Sequence, residues 1–349
     1  MTSTGHSVNL IVVRDERPPP FSENAGPGWQ SRAPYTASPV SQSAPTSVER
    51  AYAHCELLLR ENDKDRFLAD LFIPASHRRH IHALHAFSFE IARIREFVSE
   101  PMPGELRHQW WRDALEGNAW GGVGANPVAA ALMDTIDRFS LSRSALVALI
   151  DARGFDLYDS PMPDLSSLEA YCKNTSSVLF ALAGEILAQA VQAPGAPADA
   201  APEDAVEDRS ASRLAVAAQH SGLAYAFTGL IRAFALHAAR GQVYVPSDVL
   251  RRHGSSSEEA LAGYATPPLL ASLAEWRREA RGHLANAISA VANLSEGLMP
   301  AFLPLALVPP YLKESEKRER DLFRAPIELP QWRRQWALWR GLPQSASAK

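Results

Sequence analysis

The stretch from Ser221 to Leu250, SGLAYAFTGLIRAFALHAARGQVYVPSDVL, decides how the chain is read. Apolar residues recur at helical spacing from Leu223 through Phe234. Arg240-Gly241 then interrupts the pattern, Gln242 to Val245 is β-prone, and Pro246 stops it. A long core helix that ends in a turn rich in Arg and Tyr is the expectation. Similar helical periods recur through most of the remaining sequence. With hydrophobic residues at 46% of 349, there is enough apolar surface for a large core. An all-α protein follows.

The same stretch resembles the second signature of the squalene/phytoene synthase family, the head-to-head trans-isoprenyl diphosphate synthases, which reads G-x-x-x-Q-x-x-N-I-L-R-D-x-x-E-D-x-x-R-G-R-I-Y-L-P. Gly222, Arg232, Arg240, Gly241, Tyr244 and Pro246 fit in register. The family's two metal-binding aspartates fall on Ala233 and His237, its glutamate on Leu236, its glutamine on Ala226 and its asparagine on Gly229. His85 to Glu96, HAFSFEIARIRE, is similar to the first signature, Y-A-F-C-R-x-x-D-D-x-x-D. Ala86 and Phe87 match; the family's arginine is Phe89, its first two aspartates are Ala92 and Arg93, and only Glu96 keeps an acid. Tyr171-Cys172 resembles a third family helix, Y-C-x-x-V-A-G-x-V-G, with Thr175-Ser176-Ser177 where V-A-G is usual. There, small residues keep one face slim, as a cavity wall or a closely packed helix would require.

The resemblance covers about residues 50 to 312 and implies a single-domain, isoprenoid-synthase-like helical bundle around a central cavity. Two facing acidic helices of such enzymes hold Mg²⁺, which clamps the diphosphate as an allylic cation forms. Glu90 lies six residues from Glu96, off the required face, and Arg93 and Arg95 place positive charge where a cation would bind. No cofactor is therefore expected, Mg²⁺ entering only if the chain is an active prenyltransferase that condenses two prenyl diphosphates. The degenerate motifs resemble a non-catalytic branch of the family associated with the assembly of NADH:ubiquinone oxidoreductase, respiratory complex I. The leading expectation is a pseudoenzyme that binds a membrane-complex subunit or an isoprenoid or phospholipid. Arg93, Arg232, Arg240, Tyr171 and Tyr244 are the candidate substrate-binding residues. Arg93, Arg95, Arg232 and Arg240 would either hold a diphosphate as guanidinium forks or pair with Glu90, Glu96, Asp156 and Glu185 within the bundle. The second is the simpler expectation.

Residues 1–47, rich in Pro, Ser, Thr and Gly, read as a disordered tail. Residues 48–313 form the helical domain, with an acidic low-complexity loop at 193–210, and 314–349 a C-terminal segment rich in Trp and Arg. The first helix is expected near Ser47, without a capping box, and a long one over 75 to 98. A Pro-Gly break is expected at Pro101 to Gly104, and the signature helix over 211 to 239. Two helices are expected after Pro268. His82 and His85 share one side of a helix while His77 and His80 lie toward another, so solvated or bundle-facing histidines are expected rather than a zinc site. Trp332, Trp336 and Trp339 fall on one stripe among Arg333, Arg334 and Arg340, which suits either a bilayer interface or a docked helix.

Net charge −4 gives no reason to expect nucleic acid. Two cysteines, Cys55 and Cys172, suit a reducing compartment. No apolar run reaches the roughly 18 residues of a membrane span, and Asp15 and Glu16 argue against a secretory leader. A bacterial cytoplasmic protein, peripheral to the inner membrane, is the expected setting.

Overall fold

The computed structural model of the chain describes residues 46–119, 121–191, 203–318 and 321–341. The expectations for residues 1–45, 193–202 and 342–349 lie outside these residues. In chain order the helices are α1 (Ser47–Asn62), α2 (Lys64–Asp70), α3 (Ala75–Ala92), α4 (Pro101–Glu116), α5 (Pro127–Phe139) and α6 (Arg143–Arg153). Next come α7 (Leu165–Cys172), α8 (Val178–Val191), α9 (Glu203–Arg232), α10 (Phe234–Ala238), α11 (Ser247–Arg252) and α12 (Ser257–Ala262). The chain continues through α13 (Pro267–Val291), α14 (Met299–Phe302), α15 (Val308–Lys317) and α16 (Gln331–Arg340). No strand occurs among the described residues. The β-prone run at Gln242 to Val245 finds no partner strand; it is tied down at Met162, whose N–H donates to the Val243 carbonyl and whose carbonyl accepts from Ser247.

Local chemistry sets the helix ends. α1 does begin with a capping box: Thr46 Oγ1 accepts from the Glu49 N–H, and the Glu49 carboxylate accepts from the Thr46 N–H. Pro101 does not break the chain but opens α4, because its missing N–H is one a first helical turn leaves unpaired anyway. Residues 203–210 belong to α9 rather than to an acidic loop. One helix, α13, replaces the two expected after Pro268, since no residue within it requires a break.

The two signature helices both stop short. α3 ends at Ala92, passes through Arg93 at φ −91°, ψ 2°, and continues as a 3₁₀ turn over Ile94–Phe97. α9 ends at Arg232, bends at Ala233 (φ −94°, ψ 12°) and resumes as the single turn α10. The expected helices over 75–98 and 211–239 are thus each interrupted, at Arg93 and at Ala233, two positions that the motif resemblance sets against family aspartates. Between α7 and α8 the chain runs as one π-helical turn, Lys173–Ser177, at the Thr175-Ser176-Ser177 sequence. Gly222 on α9 faces this turn so closely that a Cβ would collide with the Ser177 backbone, and Ser177 Oγ donates to the Gln219 carbonyl at 2.8 Å.

α9 is the central post. It packs along α13 on one side and against α8 and the π turn on another. Phe227 meets Trp276 of α13, and both are fully buried, with Phe87 of α3 and Phe302 of α14 elsewhere in the same core. Its segment Ser210–Arg232 is long and apolar enough to cross a membrane by composition, which corrects the expectation that no run is. More than half of that segment is buried inside the bundle, as a core helix would be.

Candidate functional site

A cavity of about 390 Å³ opens between α2, α3, α9 and α15. Ala92 from the end of α3, and Ala233 and His237 from the bend after α9, line it together, so the structure brings the two aligned motifs to one space. Phe89, Ala226 and Gly229, which the motif resemblance sets against the family's arginine, glutamine and asparagine, line it too. Arg232 and Tyr171 also reach the lining. Arg93, Glu96, Arg240 and Tyr244 do not.

Arg232 is anchored by a carboxylate that no motif in the chain marks out. Asp65, buried at the start of α2, accepts from Arg232 Nη1 at 2.5 Å, from the Tyr311 hydroxyl at 2.8 Å and from Arg334 Nη1 at 3.2 Å. The Arg232 guanidinium also lies 4.3 Å from the centre of the Tyr311 ring, a cation–π contact. Burial alone would lower the Arg232 pKa; the Asp65 carboxylate and its neighbours more than reverse this, so the guanidinium stays charged. The Arg232 carbonyl, left without a helical partner where α9 ends, accepts from the Ile327 N–H at 2.9 Å.

A second buried knot sits behind the cavity. Asp156 accepts from Tyr244 Oη at 2.6 Å, from Tyr171 Oη at 2.9 Å and from Arg153 Nη1 at 3.0 Å, while Gln242 Nε2 donates to its main-chain carbonyl. Burial pushes both tyrosine hydroxyls well above their usual range, so they act as hydrogen-bond donors. His237 lies edge-on to Tyr244, 4.7 Å between ring centres. Burial, helped by the Arg240 and Arg153 charges against the opposing pull of Asp156, holds its imidazole down at about 4, hence neutral. Tyr244 therefore supports the cavity wall from behind rather than facing into it.

Glu96, the acid retained from the first motif, is exposed and pairs with Arg240 Nη2 at 3.0 Å, joining the two signature segments outside the cavity. Arg93 turns away into a neighbouring pocket with Glu90, Phe97 and Trp110, resting on the Phe89 and Phe97 rings. Arg95 pairs with Asp159. The four arginines thus find carboxylate or aromatic partners, although Arg232 takes Asp65 and Asp156 goes to Arg153. Three of the four α3 histidines sit inside the bundle: His80 between Tyr52 and Thr135, His85 Nδ1 at 2.9 Å from the buried Asp70, and His82 at 3.8 Å from the same carboxylate, while His77 is half-buried beside Ser76. No group of three or more His, Cys, Asp or Glu side chains placed to hold a metal occurs among the described residues.

Comparison with known proteins places this arrangement. Residues 59–340 match the sequence pattern of the squalene/phytoene synthase family. The NADH dehydrogenase (ubiquinone) complex I assembly factor 6 of Rattus norvegicus is 29% identical over 289 residues, covering 83% of this chain and 81% of that protein. A 15-cis-phytoene synthase of Synechocystis sp. is 28% identical over 225 residues, 62% of each chain. A crystal structure of a dehydrosqualene synthase superposes with a TM-score of 0.67 at 18% identity, over 84% of this chain and 95% of that one, which establishes the fold. With the family's pattern spanning most of its length and the family's bundle around its cavity, the chain belongs to the squalene/phytoene synthase family.

Proposed function

We propose that this chain is a family member that does not ionise prenyl diphosphates and that acts in the assembly of respiratory complex I. One observation carries the first half: Ala92 and Ala233, the aligned aspartate positions that line the cavity, offer no oxygen, and His237 offers only a ring nitrogen. Mg²⁺ demands oxygen ligands in near-octahedral array. The buried carboxylate among the lining residues, Asp65, already serves two guanidiniums and a phenol. The side chains present do not fit the ion. The second half is supported by relatives named as complex I assembly factors, which match over about four-fifths of both chains. The cavity, within the size range of small-molecule sites, then serves as a binding pocket for a membrane-complex subunit or an isoprenoid lipid.

The test has two arms. Purified protein incubated with farnesyl or geranylgeranyl diphosphate, Mg²⁺ and NADPH should release no diphosphate above a blank. Deleting the gene in its own host should lower assembled complex I on native gels, with restoration by the intact gene. A second reading, an active head-to-head prenyltransferase, is favoured by the retained Tyr171 and Arg232 and by Asp63 and Asp65 at the cavity edge. Diphosphate release with a C30 or C40 product would establish it instead.

A further inference from the structure

The helix α16 is mounted the wrong way round for an ordinary surface helix. Its sequence, QWRRQWALWR, contains three arginines, three tryptophans and no acid. A surface helix turns its charges outward and its rings inward. Here Leu338 and Ala337 face the body, and two of the arginines are tied to carboxylates of the bundle: Arg334 to Asp65 at 3.2 Å and Arg333 to Glu314 at 3.1 Å. Trp332, Trp336 and Trp339 point out, 67%, 54% and 70% exposed. The Trp336 and Trp339 rings lie 5.2 Å apart and form one surface.

This exposure does not come from a loose end. Leu329 and Ile327, just before the helix, are fully buried, and the Ile327 N–H is bonded to the end of α9. Arg334 also donates through Nε to the Leu329 carbonyl at 3.0 Å. The body therefore holds the indoles outward. Three rings of this size at these exposures present an apolar patch on the order of 400 Å², large enough on a single chain to mark an interaction site.

We propose that the Trp332–Trp336–Trp339 face of α16 is a docking surface for an anionic phospholipid bilayer. Indole suits the bilayer interface better than any other side chain here, because its apolar body and its N–H donor match the two sides of that boundary. Arg340, exposed and outside any ion pair among the described residues, sits beside Trp339 and is placed for lipid phosphate. An acid-free helix with aromatic residues on its free face is the composition of an interfacial element. The proposal goes beyond the assembly role and stands or falls separately from it.

Flotation of the full chain with phosphatidylcholine vesicles, with and without phosphatidylglycerol, tests it. The protein should float with both and more strongly with the anionic ones. Its tryptophan emission should be quenched by brominated lipid. W332S/W336S/W339S, which alters exposed positions only, should keep the wild-type melting temperature and lose about tenfold or more in partition, the equivalent of ~1.4 kcal/mol or more. Arg340→Gln should remove only the extra binding to anionic vesicles. The proposal is overturned if the wild type stays unbound, or if the triple variant floats as well as the wild type. It is equally overturned if the rings instead bury each other, seen as a dimer in analytical ultracentrifugation that dissociates in the triple variant while vesicles bind neither protein.

Discussion

Asp65 and Arg232 stand 167 positions apart in the sequence and 2.5 Å apart in the structure. Their contact ties the first turn of α2 to the last residue of α9, and Arg334 of α16 reaches the same carboxylate from a third direction. One buried acid thus closes the cavity wall, positions the arginine of the second signature and holds the C-terminal helix.

Asp65→Ala should therefore be severe. It removes the only carboxylate paired with Arg232 among the described residues and leaves that largely buried guanidinium uncompensated. A loss of about 3 kcal/mol is expected, read as a lower urea midpoint with an unchanged slope. The exposed end of Arg232 keeps the figure at the lower end of the range for buried pairs. Arg334→Ala should cost less, because Arg232 and Tyr311 still satisfy the acid.

Gly222→Ala should destabilise through close packing alone. The added methyl group meets the backbone of Ser177 in the π turn, which cannot step aside as a flexible side chain could. A loss of about 3 kcal/mol or failure to fold is expected. Gly229→Ala, where a Cβ would meet nothing within 4 Å, is the control and should change stability little.

Stability should fall as the solution is acidified from pH 6.5 toward 4. Burial holds His80, His108 and His237 down at about 4, against 6.5 in the unfolded chain. In that window the unfolded state binds protons that the native state refuses, so stability rises with pH and is fully present above 6.5. At His80, Arg79 Nε donates to Nε2, and the Tyr52 hydroxyl, itself donating to Asp134, is 2.8 Å from Nδ1, so the neutral ring satisfies both nitrogens. Thermal melts between pH 7 and 4.5 should show a loss of about 2 kcal/mol for each of the three, on the order of 7 kcal/mol combined. A flat profile across that range would contradict the buried, neutral assignment.

Glu96→Ala separates the two functional readings. Its pair with Arg240 is solvent-exposed, so stability should change by less than about 1 kcal/mol. If the chain is not a synthase, the variant changes no turnover, because none exists. Diphosphate release by the wild type that disappears in this variant would instead give Glu96 a part in the chemistry and favour an active prenyltransferase.

The helical periods and the family were legible in the chain, because helix formation and family signatures are local. So was the absence of oxygen at positions 92 and 233. Helix ends were harder to read: the breaks at Arg93 and Ala233 leave no Gly or Pro to announce them, and Pro101 signals a start as readily as a stop. Arg93 and Arg232, both candidates for binding a diphosphate, part company in the structure, one beside Trp110 and the other in the cavity.

The sequence by itself determined an all-α member of a known family and the identity of the side chains at its two signature positions. Tertiary structure alone decided which carboxylate each arginine meets, that Asp65 joins α2, α9 and α16, and that the tryptophans of the last helix face outward. The physical reason is range: backbone hydrogen bonding and apolar periodicity act over a few residues, whereas a charge buried at position 65 is satisfied by groups 167 and 269 positions away, which only the folded chain brings within reach.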